Sequence, residues 1–274
     1  MAILLDGKTL AEKILRDLKA KVKEEKLKLC LAVVQVGDDK VTQLYLARKR
    51  AACQKIGVEF LLFRFPGKIT TEQLAKEVKW INEQRNISGI VIQLPLPVQI
   101  DTPRVLNLIS VEKDIDCLSA AALGKFYQGV SLIMPPVVSA IARLIKEYKI
   151  SLKGKNIVIV GAGRLVGKPL TIWILNQNST LSVVDEFTRD IASVTKKADI
   201  LISGVGQPDL ITGEMIKMGS IIFDAGSSFK SGKAVGDIEY RTVFPKASYL
   251  TPVPGGIGPL TIACLLENLV RNNS

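Results

Sequence analysis

The 274-residue sequence contains no histidine. That absence removes Ser-His-Asp and Cys-His nucleophilic machinery and most zinc chemistry, and it leaves proton transfer to Lys, Tyr, Asp or Glu. Cys30, Cys53, Cys117 and Cys264 share no close spacing, which fits neither a disulfide framework nor a zinc motif. They read as small core residues. No leading apolar stretch approaches the roughly 18 residues of a membrane span, and the first ten residues lack a signal-peptide layout, so a cytoplasmic protein away from membranes is expected. Repeats and low-complexity tracts are absent too. What is present is an ordinary globular composition, 47% hydrophobic and 23% charged, with length for one large or two ordinary domains. A formal charge of +11 raises nucleic acid as a partner. However, acids are interleaved with the lysines of "AEKILRDLKAKVKEEKLK" (11–28), as on a solvated helix face, so no nucleic acid is expected. A basic cleft for a small anionic substrate is compatible with the same charge.

Along the chain, helical and strand-like segments alternate. The periodicity predicts helices over 8–25, 41–56 and 71–84, with strands over 29–37, 58–65 and 89–93. A second series of strands begins at "NIVIVG" (156–161) and continues at 181–185, 199–206 and 220–226. A helix over 136–148 lies between the series, preceded by Pro135-Pro136, and a last helix over 258–272 follows "TPVPGGIGP". This is an α/β pattern of parallel sheets covered by helices. The stretch "GIVIQLPLPVQIDTP" (89–103) is unusual, because a core strand breaks on Gln93 and is followed by three prolines.

"IVIVGAGRLVGKPL" places Gly161, Gly163 and Gly167 directly after a buried strand and at the mouth of a helix. Glycine there lets the backbone approach a pyrophosphate, and free N–H groups stabilise its charge. The spacing is one residue longer than the usual fingerprint, and a tight turn with packing glycines is the competing reading. The next strand ends at Asp185, where a dinucleotide-binding domain puts the acid that accepts from the adenosine ribose. Asp185 followed by Glu186 would repel a 2′-phosphate, which favours NAD over NADP, although Arg164 or Arg189 could neutralise them. In the first half, "TQLYLARKRAA" sets Tyr45 and Lys49 four apart on one helical face. Such a pair is commonly plain helix surface. A lysine serving as acid or base must be shifted toward neutrality, by crowding from Arg48 and Arg50 or by partial burial.

Seven segments in order carry a broader likeness: "LLDGKTLA", "VGDDKVTQLYLARKRAAC", "GIVIQLPLP", "EKDIDCL", "SLKGKNIVIVGAGRLVGKP", "ADILISGVGQPDLI" and "TPVPGGIGPLT". Through them the chain resembles the bifunctional methylenetetrahydrofolate dehydrogenase/methenyltetrahydrofolate cyclohydrolase family over nearly its whole length. The resemblance implies a folate-binding catalytic domain over 1–135, completed by a C-terminal helix from 255–274 that packs back on it, and a Rossmann domain over 136–254. It implies that Tyr45 stacks on the folate, that Lys49 is the catalytic acid/base, that Gln93 tunes that lysine and that Asp116 holds the pterin. Leu94, Pro95, Pro254 and Gly255 would line the folate. The coenzyme, NAD or NADP, would meet Gly161, Gly163, Arg164, Gly167, Asp185, Gly204, Gly226 and Ser227. No metal is implied. A homodimer joined through the coenzyme domain and tetrahydrofolate substrates with or without a polyglutamate tail are.

The chain departs from the family pattern chiefly in the coenzyme half. Cys117 stands where a glycine is expected and Thr42 where a serine is. "IMPP" (133–136) replaces Pro-Cys-Thr-Pro, Asp185-Glu186 replaces His-Ser, and Ser227 follows Gly226 in place of isoleucine. Three readings follow: the bifunctional enzyme, a cyclohydrolase whose dehydrogenase is weakened or lost, and a noncatalytic protein that binds folate or nucleic acid.

Overall fold

The computed structural model describes residues 1–38, 40–230 and 233–274. In chain order its first elements are β1 (Ile3–Leu4), α1 (Gly7–Glu24), β2 (Cys30–Val36), α2 (Lys40–Ile56), β3 (Glu59–Phe65), α3 (Thr71–Glu83) and β4 (Gly89–Ile92). Three helices follow, α4 (Thr102–Leu106), α5 (Ala120–Tyr127) and α6 (Pro136–Glu147). Next come β5 (Asn156–Val160), α7 (Gly167–Ile174), β6 (Thr180–Val184), α8 (Ile191–Thr195), β7 (Ile200–Ser203) and β8 (Ile221–Asp224). A hairpin of β9 (Ser228–Lys230) and β10 (Lys233–Val235), then α9 (Tyr240–Val243), β11 (Tyr249–Leu250) and α10 (Ile257–Arg271), complete the chain. Among the described residues no helix is long and apolar enough to cross a membrane. Of the motif around Tyr45, Asp39 lies outside the described residues.

The chain divides into two compact units, one of Met1–Ala11 with Val137–Thr261 and the other of Glu12–Pro136 with Ile262–Ser274. The first eleven residues thus differ from the expected division at 135/136. They leave the unit that contains Lys49 because Ile3 and Leu4 pair in parallel with Tyr249 and Leu250 and extend the six-stranded sheet. Residues 255–261 group there as well, so only Ile262–Ser274 joins the other unit. There Asn268 donates to the carbonyls of Ile115 and Met134, which anchors the end of α10.

In the unit containing Lys49, three parallel strands run in the order β3-β2-β4. The central strand reads CLAVVQV and is buried through Gln35, as expected when both faces of a parallel sheet are covered. Helix α3 starts on a reciprocal capping box between Thr70 and Gln73. The sheet's core joins Ala32, Val34, Ile90 and Ile92 to Leu74, Val78 and Ile81 of α3. Strand β4 stops at Ile92, and Gln93 N–H donates to the Val34 carbonyl at 2.9 Å. Beyond it Pro95 and Pro97 have no N–H to continue a ladder.

The other unit is built on a six-stranded sheet in the order β1-β11-β8-β7-β5-β6. From β5 the chain passes to β6 on one side and then crosses to β7 on the other, all in parallel. That reversal makes the carboxyl end of β5, where Gly161 stands, the topological switch point at which open α/β sheets place ligands.

Candidate active site

Tyr45, Lys49 and Cys53 stand at four-residue intervals on α2, so one helical face presents all three. The Lys49 Nζ donates to Gln93 Oε1 at 3.0 Å, and Gln93 Nε2 donates to the Leu94 carbonyl at 3.1 Å. Residue 93 is therefore fixed by its own backbone at the end of β4 and offers its amide oxygen to the lysine. The Leu94–Pro95 peptide is cis. Lys49 and Asp116 each keep part of their surface open, yet their charged ends sit deep enough that burial governs their ionisation. Burial pulls the Lys49 ammonium below the ordinary lysine value, against attraction to Asp116 and the influence of Cys53. Burial likewise pushes the Asp116 carboxyl up to about 6, opposed by Lys49 and reinforced by Asp114. Both members of the pair are moved toward neutrality.

Of the two causes expected for a shifted Lys49, crowding by the arginines or partial burial, the structure shows burial. The Arg48 guanidinium lies 5.8 Å from the Tyr45 ring centroid, and that of Arg50 lies 5.1 Å from the Phe60 ring centroid. Each cation rests on an aromatic face, and it is burial that shifts the lysine.

Two residues of this cluster escaped the sequence reading. Asp114, 1% exposed, accepts from the N–H groups of Leu118 and Ser119, the latter at 2.8 Å, and so shapes the turn that carries Asp116. Its signal was the alternation of acids in "KDID". Cys53, whose thiol burial pushes up to about 12, was legible only as the residue one turn beyond Lys49. Cys117 occupies the position where glycine was expected, and its φ of 54° is the left-handed conformation that glycine favours.

The coenzyme candidates all lie in the other unit. Gly161 has φ +101° and donates to the Val184 carbonyl at 2.7 Å. A Cβ at Gly167 would fall on the Gly161 carbonyl oxygen, whereas nothing lies within 4 Å of one at Gly163. Val166 at the N-cap of α7 makes no side-chain cap bond, so the N-cap residue itself supplies no oxygen to this helix start. These features fit a pyrophosphate, and Arg164 stands in the same turn. Asp185 follows β6, where its Oδ1 accepts from Phe187 N–H at 3.1 Å. Gly204 follows β7 and donates to the Val160 carbonyl at 3.0 Å, and Gly226 and Ser227 follow β8. Pro254 and Gly255 precede α10 in this same unit, not in the one that holds Lys49, and the Gly255 carbonyl accepts from Lys8 N–H at 2.8 Å.

Comparison with known proteins agrees with both halves. The family model for the tetrahydrofolate dehydrogenase/cyclohydrolase catalytic domain matches residues 5–116, and that for the NAD(P)-binding domain of the same enzymes matches residues 135–274. The bifunctional protein FolD of Nautilia profundicola is 44% identical over 272 residues, covering 98% of this chain and 96% of that one. The crystal structure of the bifunctional enzyme FolD, methylenetetrahydrofolate dehydrogenase/cyclohydrolase, from Campylobacter jejuni superposes with a TM-score of 0.93 at 38% identity, covering 100% of this chain and 99% of that one. The Trypanosoma brucei dehydrogenase-cyclohydrolase, solved with NADP and an inhibitor, superposes with a TM-score of 0.93 at 33% identity, covering 99% and 97%. Matched over both halves, the chain belongs to the tetrahydrofolate dehydrogenase/cyclohydrolase family, whose substrates are tetrahydrofolate derivatives and whose coenzyme is a nicotinamide dinucleotide.

Proposed function

We propose that this protein oxidises 5,10-methylenetetrahydrofolate to 5,10-methenyltetrahydrofolate with a nicotinamide coenzyme, NAD ahead of NADP, and hydrolyses the product to 10-formyltetrahydrofolate. The observation that carries the reading is the buried Lys49 ammonium hydrogen-bonded to Gln93. A charged ammonium has no lone pair, so a lysine serves as a base only when its environment favours the amine. Burial supplies that bias, and the Gln93 oxygen holds the nitrogen in place.

When bound, the coenzyme supplies the acceptor for the hydride leaving the one-carbon bridge. Everything else falls to the chain's own residues. Tyr45 stacks on the folate and orients it, while Leu94 and Pro95 line it. The Asp116 carboxylate accepts from the pterin's N–H groups. Lys49, as the amine, takes the proton of the water that adds to the methenyl carbon and returns it as the ring opens, which needs neither histidine nor metal. Gly161, Gly163 and Gly167 bring backbone N–H groups to the pyrophosphate, with Arg164 alongside. Asp185 accepts from the adenosine ribose hydroxyls, and beside Glu186 it disfavours a 2′-phosphate. Polyglutamylated folates are included among the substrates, and the cytoplasm is the proposed location. Support for a homodimer joined through this unit comes from the sheet's edge, where β6 leaves Val183 40% exposed and the residues flanking that strand include Leu175 at 63% and Phe187 at 84%.

Because Asp116 must be ionised to accept, folate affinity is expected to rise with pH and level off above about 6. Asp116→Asn should flatten that profile, and a wild-type affinity independent of pH through this range would remove the carboxylate from the pterin. The reading as a whole is tested by assaying the purified protein with 5,10-methylenetetrahydrofolate, separately with NAD and NADP, and by direct hydrolysis of methenyltetrahydrofolate. Turnover in both reactions with NAD ahead is expected. Hydrolysis without reduction of either coenzyme would leave a cyclohydrolase alone, and equal use of NAD and NADP would cancel the preference drawn from Asp185.

A further inference from the structure

Asp224 and Asp237 are buried acids at the carboxyl end of the six-stranded sheet, 4% and 0% exposed, and none of the steps above uses them. The Asp237 carboxylate accepts from the Ser203 hydroxyl at 2.7 Å and from the N–H groups of Val205, Gly206 and Gln207 at 2.8 to 2.9 Å. That of Asp224 accepts from the N–H groups of Gly226, Asp237 and Ile238 at 3.0 to 3.1 Å. The two acids thus tie the loop after β7 to the loop after β8 and to the return of the β9–β10 hairpin. Glycines make the approach possible, since a Cβ at Gly226 would fall on the Asp237 carboxylate and one at Gly236 on that of Asp224.

Burial pushes the Asp224 carboxyl up to about 6, and the neighbouring Asp237 adds to the rise. An apolar side chain at either position would leave these inward-turned N–H groups without an acceptor. The bonds to the two acids also give these loops a defined shape. Successive N–H groups of residues 205–207 turn inward to Asp237, so this loop has none of them to offer a phosphate, and the pyrophosphate is left to the glycine turn at 161–167. Asp185 lies on the β6 side of β5, and β7 and β8 lie on the opposite side. A dinucleotide spanning the switch point therefore sets its adenosine half over β6 and its nicotinamide half over the loops that the two acids hold.

We propose that Asp237 is a positioning residue for the nicotinamide half of the coenzyme site, fixing the loop of residues 203–207 and, together with Asp224, the loop of residues 224–227. The inference rests on the coenzyme reading above. Its test is equilibrium binding of NAD and of ADP to the full-length wild type and to Asp237→Asn, by calorimetry. The amide keeps the side chain's shape but replaces one acceptor oxygen with a donor group facing N–H groups. Asp237→Asn is expected to weaken NAD by about 10-fold to 100-fold, the scale of a lost hydrogen bond to a charged group, and to leave ADP, which lacks the nicotinamide half, within about twofold. Equal weakening of both ligands would mean general damage to the unit and would overturn the inference, as would unchanged NAD binding. Should Asp237→Asn not fold, Ser203→Ala removes a single donor to the same carboxylate, and a drop in NAD affinity of about threefold or more, with ADP unchanged, is expected. A wild type that binds neither NAD nor NADP would instead defeat the coenzyme reading. A wild type that binds NAD without turning over would defeat only the proposed dehydrogenase activity.

Discussion

Lys49→Ala is expected to lower the rate of methenyltetrahydrofolate hydrolysis by about 100-fold to 10,000-fold, the range over which a positioned acid or base contributes. The variant should still fold. It removes a buried ammonium whose desolvation opposes folding, and it leaves one Gln93 acceptor short of a donor, a loss of about 1 kcal/mol. Coenzyme reduction, which involves no proton transfer to Lys49 in the scheme above, should fall less than hydrolysis does. The check is a direct hydrolysis assay beside a thermal unfolding curve. A folded variant that hydrolyses within about tenfold of wild type would show that the lysine is not the base.

Gly167→Ala carries the second large effect. A Cβ at this position would fall on the Gly161 carbonyl oxygen and come within 2.9 Å of the Gly161 carbonyl carbon and 3.0 Å of the Ala162 Cα. All three are backbone atoms, so no rotamer change relieves the clash. The glycine turn has to open at the point where it meets the pyrophosphate. Overpacking of this kind costs about 1 to 3 kcal/mol. NAD affinity should fall by about tenfold or more, with hydrolysis by the other unit retained. Gly124→Ala in α5 serves as a control, because nothing lies within 4 Å of its added Cβ and both activities should persist. Undiminished NAD binding by Gly167→Ala would remove the turn from the coenzyme site.

Much of this arrangement could be read from the sequence because it rests on local pattern. The buried parallel strands appear as unbroken apolar runs such as "CLAVVQV" and "NIVIV", and their ends came within a few residues of the observed ones. The break at Gln93 was legible for a covalent reason, since prolines cannot donate to a ladder. The four-residue spacing of Tyr45 and Lys49 predicted a shared face, and the structure gives that face an amide partner in Gln93. The role assigned to Asp116 came instead from the family resemblance, because nothing in its own neighbourhood distinguishes it from Asp114.

Other features had no local signal. Strands β1 and β11 hold two residues each and owe their existence to partners far along the chain, which is why residues 1–11 were expected in the wrong unit. The clamp between Ser203, Asp224 and Asp237 joins residues more than ten positions apart through bonds to side-chain carboxylates, which leave no periodicity. Only the adjoining glycines, Gly226 and Gly236, hinted that something approaches the backbone there. The choice between crowding and burial as the source of the Lys49 shift had no local signal either. Sequence puts arginines on either side of it, but on a helix adjacent residues point apart, and Arg48 and Arg50 each lie over an aromatic ring.

The account turns on Lys49 reaching its neutral form in reach of the folate. Nitrogen NMR titration of the Lys49 Nζ in the intact protein, with Lys49→Ala used to assign the signal, measures this directly. The account predicts a lysine pKa below the ordinary value, together with a carboxyl at Asp116 titrating near 6. A Lys49 that keeps its proton up to the ordinary lysine value of about 10.4 would contradict it.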